Sequence, residues 1–519
     1  MRFDVAILGG GMAGNLLARQ LARHVPQARV LLVEKAQTRA RKVGESTVDV
    51  CGKYLTKRLS LSTYLYDQHL PKNGLRFFFD REDRGGALEE LSEIGSTAML
   101  PLPSFQLDRA RFEEDLLAMN AADGVDVRLG YKVTGATTEA DGAHRIELVG
   151  AEDRRTHVEA RWLVDATGRA SLVARARGLR TAEGVKRAAV WGRFGDVVDL
   201  DAYGSEAFRG RVRHTARVLS TNHFCYPGYW IWLIPLGHGV TSVGVVMDRP
   251  RFDDRLRSRE GFVAFLERHA AIRELLAPAE LEDVGSLGQL AYGTTRFVDA
   301  RERWALVGEA AAFTDPLYSP GGDAIALAND WVTDLIRRDL EGEPSPALAE
   351  RGDLYDRLFA LRHRATIELH RDQYDLLGSL GVFASKWDLD LACYLNLWVE
   401  PYYLDRHLDL DAVRTDLAGA DQTLGVLDTF RHVFTGAAAA LRSQDRYFAR
   451  NLGEAVLDPA ARFLAPDFAT EASHRRALPR VRDAMQLVLD ELNDALGRPR
   501  APEPVAFARL ALGRPLDRW

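Results

Sequence analysis

The sequence predicts an α/β protein whose first domain is built on a parallel sheet and is interrupted by a second, strand-rich domain. An apolar strand over residues 3–8, a glycine turn, a helix over 12–23 and a strand over 30–34 begin the chain, which is typical of a βαβ unit. A strand-rich block extends from about 188 to 247, and a later strand begins at 304 before a turn and a helix. The first domain is therefore expected to be discontinuous, with a mixed β-sheet inserted into it.

The composition is typical of a globular enzyme and gives no sign of nucleic-acid or membrane binding. The chain has 519 residues, more than one ordinary domain, and 46% hydrophobic with 27% charged residues is typical of a globular enzyme. A net charge of -6 gives no electrostatic reason to expect a nucleic acid or an anionic membrane as partner. No apolar run approaches the roughly 20 residues that span a bilayer, and no secretory signal is evident, so a cytoplasmic location is expected. The three cysteines lack metal-ligand spacing, and no metal site is expected.

Three regions follow from the order of these elements. Past the loop at 341–346, apolar residues recur at helical spacing near 354–369, 424–448 and 480–496, which predicts a helical C-terminal region. The expected regions are a nucleotide-binding domain over 1–80, 105–185 and 285–342, a β-sheet substrate domain over 81–104 and 186–284, and a helical cap over 343–519.

The glycine turn fits the pattern GxGxxG, with glycine at 9, 11 and 14. Missing side chains in such a turn let a pyrophosphate approach the backbone N–H groups and the N-terminus of the following helix. Glu34 ends the second strand, where a carboxylate accepts hydrogen bonds from ribose hydroxyls. A dinucleotide is thus the expected ligand. The residues expected to contact it here are Gly9, Gly11, Met12, Ala13, Gly14, Glu34 and Lys35.

Later segments resemble those of FAD-binding monooxygenases. Residues 163–169, LVDATGR, resemble the strand and turn that pass the nucleotide, and 304–311, WALVGEAA, resemble the late strand, turn and helix. The resemblance implies an FAD-binding Rossmann-type domain of the para-hydroxybenzoate-hydroxylase-like kind. Glu309 stands where aspartate is usual, which leaves its contact open, and Arg109 matches a flavin-side arginine or is an ordinary surface residue. The residues implied to contact FAD are Arg109, Asp165, Gly308, Glu309, Gly321 and Gly322.

Two short motifs narrow the resemblance to flavin-dependent halogenases over roughly the first 340 residues. Residues 230–235, WIWLIP, resemble the WxWxIP signature of that family, and 43–47, VGEST, are similar to its early turn, which adds Glu45 and Ser46 to the implied cofactor contacts. In the family the two indoles, here Trp230 and Trp232, line the passage between flavin and substrate. Alternatively, they pack on one face of a strand for their apolar area.

The resemblance gives Lys72 a catalytic role. Residues 72–77, KNGLRF, are similar to the K-x-G-x-x-F pattern whose lysine receives hypohalous acid in halogenases of phenols and pyrroles. Burial would lower the pKa of this lysine toward the neutral amine. The alternative is a solvated lysine in a loop.

The segment 315–323, DPLYSPGGD, resembles the halogenase loop beside the isoalloxazine ring and halide. It adds Pro316 to the implied cofactor contacts and Ser319 to the implied catalytic residues. Tyr318 stands where tryptophan halogenases carry a catalytic glutamate, which disfavours a free-tryptophan halogenase of that type. Asp323 replaces a more usual apolar residue, and its charge counts against halide binding.

These resemblances imply an FAD-dependent oxidoreductase of two components. A partner flavin reductase is expected to supply FADH2. The reduced flavin is expected to react with O2 to form a C4a hydroperoxide. Chloride or bromide would then react with this hydroperoxide to yield hypohalous acid for Lys72. The leading hypothesis is a halogenase of an electron-rich aromatic substrate, whether free, carrier-tethered or peptidyl. The alternative is a halogenase-like monooxygenase that hydroxylates an aromatic or peptidyl tryptophan substrate. A third hypothesis is a non-catalytic FAD-binding assembly factor.

Overall fold

The computed structural model of the chain describes residues 1–499. The strands are β1 (Arg2–Leu8), β2 (Val30–Glu34), β3 (Leu70–Pro71), β4 (Leu75–Phe79), β5 (Ser92–Gly95), β6 (Phe105–Gln106), β7 (Asp126–Leu129), β8 (Lys132–Thr138), β9 (His144–Val149), β10 (Arg155–Asp165), β11 (Arg180–Ala182), β12 (Arg187–Gly195), β13 (Thr221–Tyr226), β14 (Tyr229–Gly237), β15 (Val240–Asp248), β16 (Glu280–Leu287), β17 (Tyr292–Thr294), β18 (Val298–Asp299), β19 (Trp304–Leu306) and β20 (Ala455–Leu457). The α-helices are α1 (Met12–His24), α2 (Asp49–Lys53), α3 (Ser62–Gln68), α4 (Arg109–Ala122), α5 (Leu172–Ala176), α6 (Glu206–Arg209), α7 (Arg259–Leu266), α8 (Ala270–Leu276), α9 (Pro320–Leu340), α10 (Ser345–His370), α11 (Leu380–Cys393), α12 (Glu400–Tyr403), α13 (Leu410–Ala418), α14 (Ala420–Ser443), α15 (Glu471–His474) and α16 (Ala477–Leu496). Among residues 1–499, no helix combines the length and the apolar character needed to cross a bilayer.

The first sheet belongs to the nucleotide-binding domain. Its main path runs β18-β19-β10-β1-β2-β7, and β9 and β8 extend it beside β10. Strand β1 pairs in parallel with both β10 and β2, and α1 makes the crossover between β1 and β2. The apolar run at the end of β1 is fully buried, as expected for a strand that is covered on both faces. The α/β fold class is confirmed. Strand β19 pairs in parallel with β10, so the chain returns to this sheet late in the sequence.

The second sheet has the order β16-β12-β15-β14-β13-β4-β5-β20 and is mostly antiparallel. Two of its strands differ from the expected domain limits. Strand β4 pairs with β13, so residues 75–79 belong to this sheet although its first boundary was expected at 80. Strand β20 pairs with β5, so the C-terminal region is not wholly helical. Each of these strands pairs with a segment far away in the chain, and local sequence pattern carries no signal of such pairing.

The C-terminal helices cover one face of the second sheet. Helix α11 packs against α16, and α10 packs against α13 and α14. The apolar faces of α11, α14 and α16 join Phe77, Trp230 and Trp232 in one continuous core, to which Phe383 and Val488 of the cap also belong. The sheet residues that face the cap are therefore enclosed between the two parts.

A buried aspartate in α9 ties this cap to the nucleotide-binding domain. Asp330 accepts hydrogen bonds from Gln20 Nε2 at 2.7 Å and from Tyr402 Oη at 3.0 Å. His407 Nε2 lies 2.9 Å and Arg58 Nε 3.1 Å from the same carboxylate. Burial alone would raise the pKa of Asp330, but its hydrogen bond and charge interaction with His407 hold that pKa below the usual value. Asp330, which is ionised and accepts hydrogen bonds at both carboxylate oxygens, thus links the cap to the first domain.

We expect Asp330→Ala to destabilise the protein by about 3 kcal/mol, because it leaves buried donors without an acceptor. Thermal unfolding of the purified protein measures the effect. Glu350→Ala is the matched control, since it breaks a solvent-exposed pair with Arg414 and should leave the midpoint unchanged. Equal midpoints for the two variants would contradict the anchoring role of Asp330.

Candidate active site

The glycine turn between β1 and α1 has the close packing that its sequence predicts. Gly9 has a φ of +112°, and a Cβ there would lie 2.4 Å from the carbonyl oxygen of Ala166. A Cβ on Gly14 would lie 2.0 Å from the Gly9 oxygen. These two glycines therefore let the helix and the neighbouring strand end approach the turn.

Gly11 differs from the other two glycines because a Cβ there would meet open space. Its nearest neighbour would be Lys42 Nζ, at 4.0 Å. Glu34 lies beside the turn, where its carboxylate accepts from Gly10 N at 2.9 Å and from Ala36 N at 2.8 Å. The absent side chain of Gly11 leaves space in front of the N-terminus of α1 and next to the Glu34 carboxylate. This space fits the pyrophosphate and ribose of FAD.

One cavity of about 820 Å³ runs from Met12, directly after this turn, to the helical cap. Its volume is within the range of cofactor and substrate sites, roughly 300–1,000 Å³. Twelve of the residues that the sequence predicts for the site lie in its wall: Met12, Glu45, Ser46, Arg109, Trp230, Trp232, Gly308, Glu309, Pro316, Ser319, Gly321 and Gly322. The cap contributes Trp387, Asp390, Leu391 and Tyr394 to the same wall.

Lys72 is buried directly behind this wall. Its Nζ donates to Ser46 Oγ at 2.7 Å and to the Thr47 carbonyl at 2.6 Å, and the residue is 2% exposed. Ser46 Oγ also accepts a hydrogen bond from Ser319 Oγ at 2.9 Å. Ser319 has a φ of +55°, a left-handed conformation in which its hydroxyl is turned to Ser46 at the start of α9. Lys72 and Ser319, 247 positions apart, are thus joined through one hydroxyl in the cavity wall.

Charge and burial act in opposite directions on Lys72. Burial lowers the pKa of Lys72 to about 7, against the stabilising charges of Asp49 and Asp323. Burial also raises the pKa of Asp49 to about 6 and that of Asp323 to about 7. Asp323 is held by Cys51 N and by Tyr394 Oη, each at 2.8 Å. Near neutral pH the ammonium and the neutral amine of Lys72 are therefore close in free energy.

The two tryptophans of β14 lie on the face of the second sheet that borders the cavity. Their rings are 5.7 Å apart, and both are less than a tenth exposed. Trp230 Nε1 donates to Tyr374 Oη at 2.8 Å, and this hydroxyl donates to Asp315 at 2.8 Å. Trp232 Nε1 donates to Ser242 Oγ at 3.2 Å. Hydrogen bonds at both indoles fix the orientation of this aromatic wall.

Glu45 and Arg109 are held in the wall by partners from other elements. Glu45 forms a buried ion pair with Arg193 at 2.6 Å. Arg109 Nη1 donates to the Val43 carbonyl at 2.9 Å, and Arg109 also pairs with Glu113. Arg109 is thus fixed beside the VGEST turn at the start of α4, with its side chain 12% exposed.

Three other predicted cofactor residues have different surroundings. Asp165 is buried, and its two oxygens accept from Thr167 and from Val173 N, so it shapes the turn after β10, which differs from the expected contact with FAD. Lys35 is exposed at the end of β2. Glu309 lines the cavity and accepts from Tyr292 Oη at 3.1 Å.

Several cavity residues were not predicted to take part in the site. Asp49, Tyr394 and Asp390 line the cavity, and the last two come from the helical cap. Tyr394 begins a π-helical segment, Tyr394–Val399, a feature frequent at functional sites. The sequence signal for this group is Asp323, an aspartate where an apolar residue is usual; its polar partner in the structure is Tyr394.

Comparisons with known proteins agree with this geometry. Residues 2–281 match the family model described as FAD binding domain. The chain is 28% identical over 473 residues to flavin-dependent halogenase chlA of Dictyostelium discoideum, covering 82% of this chain and 76% of that protein. It is 28% identical over 353 residues to tetracycline 7-halogenase of Kitasatospora aureofaciens, covering 62% of this chain and 60% of that protein.

A solved structure shares the fold over nearly the whole length. The structure of halogenase PltM has a TM-score of 0.66 and 18% identity, covering 99% of each chain. The family match spans more than half of the sequence, and it includes the glycine turn, the Lys72 segment and both tryptophans. The chain therefore belongs to the family described as FAD binding domain, and the relatives that it resembles include flavin-dependent halogenases.

Proposed function

We propose that this protein halogenates an electron-rich aromatic substrate, with Lys72 presenting the halogen electrophile. The observation that carries the proposal is the buried Lys72 amine, which donates a hydrogen bond to Ser46 of the cavity wall; the same wall includes Trp230 and Trp232 of the WxWxIP strand. A solvated loop lysine, the alternative from sequence, would not have this burial. We propose further that a separate flavin reductase supplies reduced FAD and that chloride or bromide supplies the halogen.

The glycine turn and the cavity beside it together fit FAD along its length. Gly11 and Glu34 would hold its pyrophosphate and ribose, and Glu45, Arg109 and Glu309 would lie along the rest of the cofactor. When bound and reduced, FAD would supply activated oxygen for the oxidation of halide. The rest of the chemistry depends on side chains of this chain.

Lys72 acts as a neutral amine in this proposal. Its nitrogen lone pair takes the halogen from hypohalous acid, and the amine proton leaves with the hydroxide as water, or the amine orients the acid by a hydrogen bond. Ser46 and the Thr47 carbonyl fix the nitrogen while this happens. Trp230 and Trp232 separate the aromatic substrate from the flavin. The small halogen electrophile can therefore reach the substrate ring, whereas the substrate and the flavin do not come into contact.

The yield of halogenated product per reduced FAD consumed should rise with pH around a midpoint near 7. The reason is that burial lowers the pKa of Lys72 to about 7, so the reactive neutral amine forms above that pH. Asp323→Asn should move this midpoint to lower pH, because one carboxylate no longer stabilises the ammonium. Product yield measured across pH in both proteins tests this, and coincident profiles would speak against Lys72 as the titrating group.

The experiment for the proposal supplies purified protein with FAD, NADH, a flavin reductase and electron-rich arenes, in NaBr, NaCl or halide-free buffer. A mass gain that follows the halide supports halogenation. Oxygen addition that ignores the halide supports the second candidate, a halogenase-like hydroxylase. Asp323 favours that candidate, since a carboxylate near the lysine opposes an anion. FAD that binds but neither reduces nor reacts with oxygen would support an assembly factor.

A further inference from the structure

A second buried lysine, Lys386, lies beside the cavity in the cap, and the proposed chemistry does not use it. Lys386 Nζ donates to Asp390 Oδ2 at 2.7 Å, and Tyr318 Oη donates to the same oxygen at 2.8 Å. The Lys386 and Asp390 side chains are 3% and 6% exposed. Tyr318 comes from the loop before α9, whereas the ion pair comes from α11 of the cap. We refer to these three side chains as the cap anchor.

A purely structural role does not account for an ion pair in this place. Burying two charges costs several kcal/mol per ion, and apolar residues of similar size are often as stabilising. The same helix has an ion pair of ordinary type, in which Asp388 meets Arg462 at 2.9 Å and the arginine side chain is 48% exposed. The Asp388 pair does not border the cavity, whereas Asp390 and Tyr318 line it.

The cap anchor leaves one acceptor unused. Both hydrogen bonds that Asp390 accepts from residues 1–499 fall on Oδ2, so Oδ1 is free to accept from a ligand. Lys386 Nζ contacts the carboxylate at Oδ2 and leaves Oδ1 unoccupied. The ligand that suits a free carboxylate oxygen is a hydrogen-bond donor.

The surroundings of the anchor suit an aromatic ligand. The rings of Tyr318 and Trp387 lie 5.2 Å apart, and Phe77 lies 4.9 Å from Trp387. His370 also lines the cavity, 5.1 Å from Tyr318, and burial lowers its pKa to about 4, so it adds no charge. Aromatic walls with one fixed acceptor match a flat ring that carries a hydroxyl group.

We propose that the cap anchor binds a hydroxyl group of the aromatic substrate through Asp390 Oδ1 and so determines which ring carbon faces Lys72. Tyr318 and Ser319 are adjacent in the chain, and Ser319 is joined to Lys72 through Ser46. The same loop therefore sets both the hydroxyl position and the lysine position. A hydroxyl held by a carboxylate also donates more electron density to its ring. The effect on product rests on the proposed function, but the binding does not.

The test measures binding to oxidised, FAD-loaded protein in the absence of halide and reductant, by isothermal titration calorimetry. The ligands are phenol, resorcinol and 1-naphthol, each paired with its fully methylated ether. We expect the wild type to bind the hydroxyarenes at least about 10-fold more tightly than the ethers, the size of a hydrogen bond to a charged group. Asp390→Asn and Lys386→Met should reduce this ratio to about threefold or less.

Asp388→Asn is the matched control, because it removes a charge from the same helix outside the cavity, and its ratio should equal that of the wild type. Thermal midpoints and FAD content identify any variant that fails to fold. A wild type that binds no hydroxyarene more tightly than its ether overturns the proposal, as does an unchanged ratio in both anchor variants. Failure of halogenation alone leaves this result standing, since the assay contains no halide or reductant.

Discussion

Lys72→Met is expected to lower the amount of halogenated product by at least about 100-fold, the range over which positioned acid–base groups contribute to rates. Oxidation of reduced FAD and consumption of O2 should continue at rates near those of the wild type, because Lys72 is not among the residues proposed to hold FAD. Peroxide or free hypohalous acid should accumulate in place of product. Product analysis combined with an oxygen electrode measures both effects.

A matched control for this variant is available in α2. Lys53 is also partly buried, and its Nζ donates to the carbonyls of Tyr402 and Tyr403, away from the cavity. Lys53→Met should therefore keep product formation in proportion to its folded fraction. If Lys72→Met still formed product at the rate of Lys53→Met, Lys72 would have no part in the chemistry.

Gly11→Ala is expected to weaken FAD binding by about 100-fold without lowering the thermal midpoint of the FAD-free protein. A Cβ at this position meets no protein atom closer than 4.0 Å, and the backbone is extended, so alanine fits the fold. The methyl group would instead occupy the space that the pyrophosphate needs. Titration of the FAD-free protein with FAD, followed by flavin fluorescence, measures the loss.

Gly14→Ala should behave in the opposite way, since its Cβ would lie 2.0 Å from the Gly9 oxygen and α1 would have to move. The thermal midpoint of this variant should fall even without FAD. If Gly11→Ala bound FAD as tightly as the wild type, the cofactor would not cross the turn at this residue.

Local pattern was sufficient for the elements of the nucleotide-binding domain. The βαβ unit could be predicted because β1, α1 and β2 are adjacent in the chain and their apolar periods differ clearly. The glycines at 9 and 14 were equally predictable, since close backbone approach leaves glycine as the only residue that fits. The halogenase-type motifs added Lys72, whose burial the sequence left open.

The cap side of the site could not be predicted in the same way. Tyr318 meets Asp390 across 72 residues, and Asp330 joins Gln20 across 310, so no local spacing reports these contacts. Asp165 shows that a motif can locate a residue without predicting its hydrogen-bond partners. A motif indicated a residue near the nucleotide, but its carboxylate is used within the turn itself. Motifs thus predicted the fold and the cofactor class, whereas the contacts of the cap join segments too far apart in the chain for local pattern to report.

A single-turnover reaction under ¹⁸O₂ tests the central claim most directly. Wild-type protein is mixed with pre-reduced FAD, an electron-rich arene and bromide, and the mass of the aromatic product is measured. Halogenation through Lys72 predicts a product with the paired bromine isotope pattern and no ¹⁸O. A product that carries one ¹⁸O and no bromine would contradict it.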